Sequence, residues 1–183
     1  MAKVVCITGA AGGIGAATAG AFAQDGWHVV GVDCIKPSKL PAGIIRYIQA
    51  DIGDMAQIIN VFDEISRQER RLDALINNAA VQINKRLVET EPDEWDHLMA
   101  VNLRSVYLAI KHAYPLLRRQ GGSIVNVSSV HAIATSENIA AYATSKGALV
   151  ALTRVAALEL ASAGIRDLGA GPAADLSGAA DPS

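Results

Sequence analysis

The chain has 183 residues, a formal net charge of −2 and 51% hydrophobic residues, enough for one domain with a sizeable core rather than two. With no long basic run it is not built for nucleic acid or for an anionic membrane surface; Arg70-Arg71 and Arg118-Arg119 are isolated pairs of the kind found at solvated helix ends. Cys6 and Cys34 fit reduced thiols in a cytoplasmic protein, and His28, His97, His112 and His131 are too scattered to predict a metal site.

Lys3 to Gly15 reads K-V-V-C-I-T-G-A-A-G-G-I-G. Val4 to Ile7 is a short apolar run of the kind buried on both faces of a parallel sheet. The glycines at 9, 12, 13 and 15 interrupt it too early for a signal peptide. Strand, glycine turn and helix together aim backbone N–H groups and a helix N-terminus at an anion. The spacing is T-G-x-x-x-G-x-G, wider than G-x-G-x-x-G, and glycines also mark ordinary turns. On the functional reading, Gly9 makes the tight turn, Gly13 lets a phosphate approach and Gly15 packs helix on strand.

The first helix is expected to end near Asp25, with Gly26 as its stop. His28 to Asp33 reads as a second buried strand ending on an acid, about 20 residues past the glycines, where a carboxylate can accept hydrogen bonds from an adenosine ribose. That favours NAD, because a 2′-phosphate would meet like charge. Lys36 and Lys39 keep NADP as the lesser alternative.

Ile44 to Ile48 predicts a third strand, followed by Asp51-Ile52. Asp54 caps a helix with Ile58, Val61, Phe62 and Ile65 on one face. Leu72 to Ile76 predicts the fourth strand and runs into Asn77-Asn78-Ala79-Ala80, either turn chemistry or the ligand-bearing edge of an open sheet. A long helix is expected from Pro92 to about Arg119, with Asn102 embedded among apolar residues. Ser123 to Val127 predicts the fifth strand, and a helix follows from Ile139 to about Ala163. From Gly147 to Ala163 only Arg154 and Glu159 are charged, so this helix needs cover on more than one face. That predicts a homodimer or higher oligomer.

Tyr142-Ala-Thr-Ser-Lys146 places a phenol and an ammonium on one helix face. At about 4 Å and an effective dielectric near 20, an ammonium stabilises a phenolate by roughly 4 kcal/mol before desolvation is subtracted. Such a tyrosine can exchange a proton with an alcohol or carbonyl oxygen. Spacing alone is weak evidence, since Tyr107 and Lys111 share it. Tyr142 has company that Tyr107 lacks: Ser129, thirteen residues upstream at the end of the fifth strand, with Ser128 as its rival.

With these motifs in order, T-G-A-A-G-G-I-G, D-I, N-N-A-A, V-N-L, V-N-V-S-S and Y-A-T-S-K, the chain resembles a classical short-chain dehydrogenase/reductase over residues 3 to about 166. The resemblance implies a Rossmann-type α/β fold, a doubly wound parallel sheet in the order 3-2-1-4-5. It implies a catalytic set of Asn102, Ser129, Tyr142 and Lys146. Tyr142 would be the acid/base and Ser129 would position the substrate oxygen. Lys146 would assist the tyrosine and hold the nicotinamide ribose, and Asn102 would support a water relay. The cofactor contacts it implies are Thr8, Gly9, Gly12, Gly13, Ile14, Gly15, Asp33, Asp51, Ile52, Asn78, Ala79 and Ala80, together with Tyr142 and Lys146. It also implies that Asn77 lines the cofactor cleft, and that the helices at 92–119 and 139–163 are the faces of a homodimer or homotetramer. Ala80 departs mildly from the family's usual glycine.

After Arg166 the chain reads D-L-G-A-G-P-A-A-D-L-S-G-A-A-D-P-S, without an apolar run. The expectation is a nucleotide-binding domain over 1–166 and a disordered tail over 167–183, with the family's sixth and seventh strands missing and the fifth left as a sheet edge. The activity expected is hydride transfer between NAD and a small alcohol or carbonyl substrate. A catalytically impaired NAD-binding protein or a truncated fragment stands as the alternative.

Overall fold

The computed structural model describes residues 2–170. Its centre is a six-stranded sheet in the order β3-β2-β1-β4-β5-β6, every pairing parallel. The strands are β1 (Val4–Thr8), β2 (His28–Asp33), β3 (Ile44–Gln49), β4 (Ala74–Asn77), β5 (Ser123–Val127) and β6 (Arg166–Ala170). The helices are α1 (Gly13–Gln24), α2 (Met55–Gln68), α3 (Pro92–Met99), α4 (Ser105–Leu117) and α5 (Ala140–Leu160).

All five residues of β1 are buried, as an apolar run between two helical layers must be. Alternation along the strand divides the core. Cys6 joins Ile58, Phe62 and Ile65 of α2 and Ala113 and Leu117 of α4 on one face. Val5 and Ile7 join Ala19 on the other, with Phe22 and Ala23 of α1 packed against them. Each large side chain buried this way contributes roughly 1.5–3 kcal/mol. Asp54 caps α2 as expected, its Oδ1 accepting the N–H groups of Ala56 at 2.8 Å and Gln57 at 3.1 Å.

Three expectations are corrected. First, a sixth strand is present: Arg166–Ala170 pairs with β5 from Ser123↔Arg166 to Val127↔Ala170. β5 is therefore an inner strand, and the domain does not stop at Arg166. Parallel pairing is made by the backbone, so R-D-L-G-A needs no apolar run to join it. Its Asp167 side chain is 5% exposed and accepts from Asn126 Nδ2 at 2.9 Å. Second, the single long helix is interrupted: Ala100–Arg104 forms a π turn between α3 and α4. Third, the last helix begins at Ala140 and ends in a 3-10 turn, Ala161–Ala163, closed by Gly164 at φ +71°. The disordered tail expected over 167–183 is also corrected at 167–170, which lie in β6; its remainder and the missing seventh strand fall on 171–183, outside the described residues.

Among the described residues no helix is long and apolar enough to cross a membrane, and no cluster of acidic, cysteine and histidine residues could hold a metal ion.

Candidate active site

The glycine loop is shaped by contacts that no side chain would survive. Gly9 sits at φ +68°, and a Cβ there would meet Asn78 Nδ2 at 2.8 Å. A Cβ on Gly15 would fall 2.0 Å from the Gly9 carbonyl oxygen, so α1 can seat on the loop only through glycine. Its cap residue, Gly12, offers no side-chain hydrogen bond, and the first turn carries no acid. The N–H groups of that turn are left for an anion.

In front of the loop lies a cleft of ≈ 870 Å³ at the C-terminal ends of β1, β2 and β4. Gly9, Gly12, Asp33, Asp51, Ile52 and Asn78–Ala80 line it. Other predicted cofactor contacts do not. Thr8 is 3% exposed and its Oγ1 accepts from the N–H groups of Asn78 and Ala79, both at 3.1 Å, so it ties β1 to the end of β4. Gly15 is buried under the loop and Ile14 is 68% exposed beside it. Gly13, at φ +54°, has open space over its Cα.

Asn77 is a correction. Its side chain faces the helical layer, where Nδ2 donates to Asn126 Oδ1 at 2.8 Å, and it does not line the cleft. Asn78, one residue on and therefore on the other side, takes that place. Its Nδ2 donates to the carbonyls of Thr8 at 3.0 Å and Gly9 at 3.2 Å.

Asp33 has structural work of its own. Oδ2 accepts from Ala11 N–H at 2.9 Å and Oδ1 from Ile35 N–H at 3.1 Å, which fastens the glycine loop to the end of β2. A carboxylate has about four acceptor sites, so acceptor capacity remains on the cleft side. Asp51 Oδ1 accepts from Gly53 N–H at 2.8 Å.

The second cluster stands at the C-terminal end of β5. Ser129 caps the short turn Val130–Ala132, its Oγ accepting from His131 N–H at 3.3 Å. Tyr142 and Lys146 lie one turn apart on α5, with Lys146 Nζ 5.7 Å from the centre of the Tyr142 ring. Lys146 is 3% exposed, and its Nζ donates to Val127 O at 2.7 Å. Burial pushes its pKa down to about 8. Ser128, the rival of Ser129, donates instead to Lys146 O at 3.2 Å.

Asn102, on the π turn, joins the two regions. Its amide exchanges hydrogen bonds of 2.8 Å with Val81 N–H and C=O, and its second donor reaches Ser145 Oγ at 3.1 Å. Val81 lines the cleft, and Ser145 precedes Lys146 on α5. Asn102 is thus a clamp whose side-chain donors are both used. Ser145 went unremarked in the sequence although it sits inside Y-A-T-S-K. Its only signal is adjacency to Lys146.

The profile described as short chain dehydrogenase matches residues 3–176. The chain belongs to the short chain dehydrogenase family. Within the family it is 35% identical over 170 residues to meso-2,3-butanediol dehydrogenase of Serratia marcescens, covering 90% of this chain and 68% of that one. Thermoplasma acidophilum aldohexose dehydrogenase, in ligand-free form, superposes with a TM-score of 0.88 at 34% identity, covering 93% of this chain and 66% of that one. A Brucella ovis oxidoreductase of the family, in complex with a partially ordered NAD, superposes with a TM-score of 0.87 at 32% identity, covering 94% of this chain and 83% of that one. The chain thus spans about two thirds of the length of the first two relatives.

Proposed function

We propose that this chain is an NAD-dependent oxidoreductase that interconverts a secondary alcohol and its carbonyl, with Tyr142 as acid/base. The observation that carries the reading is the Lys146 ammonium held 5.7 Å from the Tyr142 ring, on the same sheet rim as the glycine-lined cleft. The residues present fit a dinucleotide. The loop admits no Cβ at Gly9 or Gly15, α1 keeps uncapped N–H groups for a pyrophosphate, and Asp33 keeps acceptors for ribose hydroxyls. When bound, NAD supplies the hydride-accepting ring.

The side chains do the rest. Asp33 selects NAD over NADP, since a 2′-phosphate would sit against its carboxylate and the first-turn helix charge of α1 could not offset both. Asp51 and Ile52 border the adenine end, and Asn78–Ala80 the ring end. Ser129 Oγ donates to the substrate oxygen, and Tyr142 takes up or returns its proton. Lys146 stabilises the phenolate that results. Asn102 holds α5 in register through Ser145.

The active form is a homodimer or homotetramer in this reading. Tyr107 on α4 and Val155 and Leu158 on α5 are 47%, 51% and 81% exposed, an apolar face suited to a second copy.

The test is absorbance of reduced nicotinamide with a panel of secondary alcohols and ketones, for the parent and Tyr142→Phe. Turnover lowered by about 10²-fold or more in the variant supports the reading. No turnover in either, or equal turnover in both, counts against it.

A further inference from the structure

We propose that Asp167 makes β6 a proton-operated latch: the strand stays on β5 while the carboxyl carries its proton and opens more readily once the carboxylate is ionised, with β1 to β5 still paired. Among the described residues β6 is the outermost strand and has a single neighbour, β5. From Arg166 to Gly169 only Asp167 is buried, and Leu168 is 53% exposed. Backbone pairing and one polar cluster therefore tie these residues down. Asn126 on β5 is the centre of that cluster. Its Oδ1 accepts from Asn77 of β4 at 2.8 Å, and its Nδ2 donates to Thr153 Oγ1 of α5 at 3.0 Å and to Asp167 Oδ1 at 2.9 Å.

Neither Asn126 nor Thr153 has a donor left for the second carboxylate oxygen. The Asn126 amide uses both of its hydrogens, and the Thr153 hydroxyl donates to Leu149 O at 2.8 Å. Asp167 Oδ2 is accordingly buried without a partner among the described residues. No cation offsets it on the elements packed against it. β5 carries no charged residue. On α5, Lys146 Nζ is held by Val127 O, Arg154 and Glu159 are exposed, and Tyr142 stands one turn before Lys146. Arg166, the neighbour of Asp167 on β6, faces the other side of the sheet and donates to Ser123 Oγ at 3.0 Å. A charge at Asp167 is costly on the closed strand and solvated on the open one, so ionisation favours opening. Burial pushes the carboxyl pKa up to about 7; the latch is at full strength below the unfolded pKa near about 4 and weakens as pH rises to about 7. Once β6 opens, β5 loses its outer neighbour, and β5 ends on the Val127 carbonyl that holds Lys146. The latch does not depend on the acid/base role of Tyr142.

The experiment is amide hydrogen exchange of the full chain by NMR at about pH 5 and about pH 7, with the carboxyl carbon of Asp167 titrated in parallel. The protection factors of the β6 amides are expected to lie at least about tenfold below those of β1 and β4, and to fall at least about tenfold between the two pH values. The Asp167 carboxyl titrates well above the ordinary carboxylate range. In Asp167→Asn, which carries no charge to bury, β6 protection stays within about twofold over the same interval. Exchange of the β6 amides together with those of β1 shows a sheet that opens only as a whole and overturns the latch. A smaller pH-linked fall in the parent, an equal fall in Asp167→Asn, or a carboxyl that titrates near about 4 overturns it as well. Where the asparagine variant does not fold, β6 protection and the carboxyl titration of the parent decide alone.

Discussion

Lys146 and Tyr142 are fixed against each other by the fold: the lysine Nζ donates to Val127 O at 2.7 Å and sits 5.7 Å from the centre of the phenol ring. The strand end holds the cation in place before any ligand arrives. Burial pushes the Lys146 pKa down to about 8, so the ammonium is lost as pH rises through that value. The free-enzyme kcat/KM for alcohol oxidation is expected to fall above about pH 8 where it depends on that charge. In Lys146→Arg the residual activity is expected to show no such fall up to about pH 10, since a guanidinium stays protonated. A pH–rate profile of both proteins decides it. A falling limb that stays near pH 8 in the arginine variant assigns the limb to another group.

Asp167 makes stability depend on pH in the opposite direction from most carboxylates. Burial pushes its pKa up to about 7, Oδ1 accepts from Asn126, and Oδ2 is buried without a partner among the described residues. The folded state therefore favours the protonated acid. Its stabilising effect is full below the unfolded pKa near about 4 and is lost as pH rises to about 7. The urea midpoint of the parent is expected to drop between about pH 4 and pH 7 relative to Asp167→Asn, which carries no charge to bury. Parallel pH curves for the two proteins would contradict this.

Gly15 leaves no room for a methyl group, with its Cβ position 2.0 Å from Gly9 O. Gly15→Ala is expected to displace α1 from the loop and to cost about 1–3 kcal/mol, as overpacking does. Gly20 is a control inside the same helix, because nothing lies within 4 Å of its Cβ position. Gly20→Ala is expected to be neutral or stabilising by up to about 1 kcal/mol. Urea denaturation of both variants reads the difference.

Asp33 joins the loop to β2 and faces the cleft, so its removal acts twice. Asp33→Ala leaves the N–H groups of Ala11 and Ile35 without their acceptor. NAD affinity by calorimetry is expected to fall at least about tenfold, while NADP binding is unchanged or tighter. An equal loss for both dinucleotides would give Asp33 a purely structural role.

Much of this was legible in the residues because the left half of the sheet is built from strong local signals. Apolar runs bounded by Gly9, Gly26 and Gly43 mark β1, α1 and β2, and an acid at the expected distance marks the cleft. Asp54 announces α2 through its cap. The right half was less legible. β6 is held by backbone pairing and by one polar cluster, Asn77, Asn126, Thr153 and Asp167, whose members lie far apart in the chain. Asn77 and Asn78 are interchangeable in the sequence, and only the alternation of a strand separates the residue that faces α5 from the one that faces the cleft. The π turn at Asn102 leaves no trace in an apolar helical pattern.

The central claim is that one rim of one sheet carries both the dinucleotide cradle and the Ser129–Tyr142–Lys146 cluster. A crystal structure of the protein soaked with NAD tests it most directly. The account predicts the adenosine ribose on Asp33, the pyrophosphate at the first turn of α1 and the nicotinamide ring within about 4–5 Å of the Tyr142 hydroxyl, the reach of a positioned proton carrier plus one substrate atom. A dinucleotide bound with its ring directed away from Tyr142, or along another face of the sheet, would contradict it.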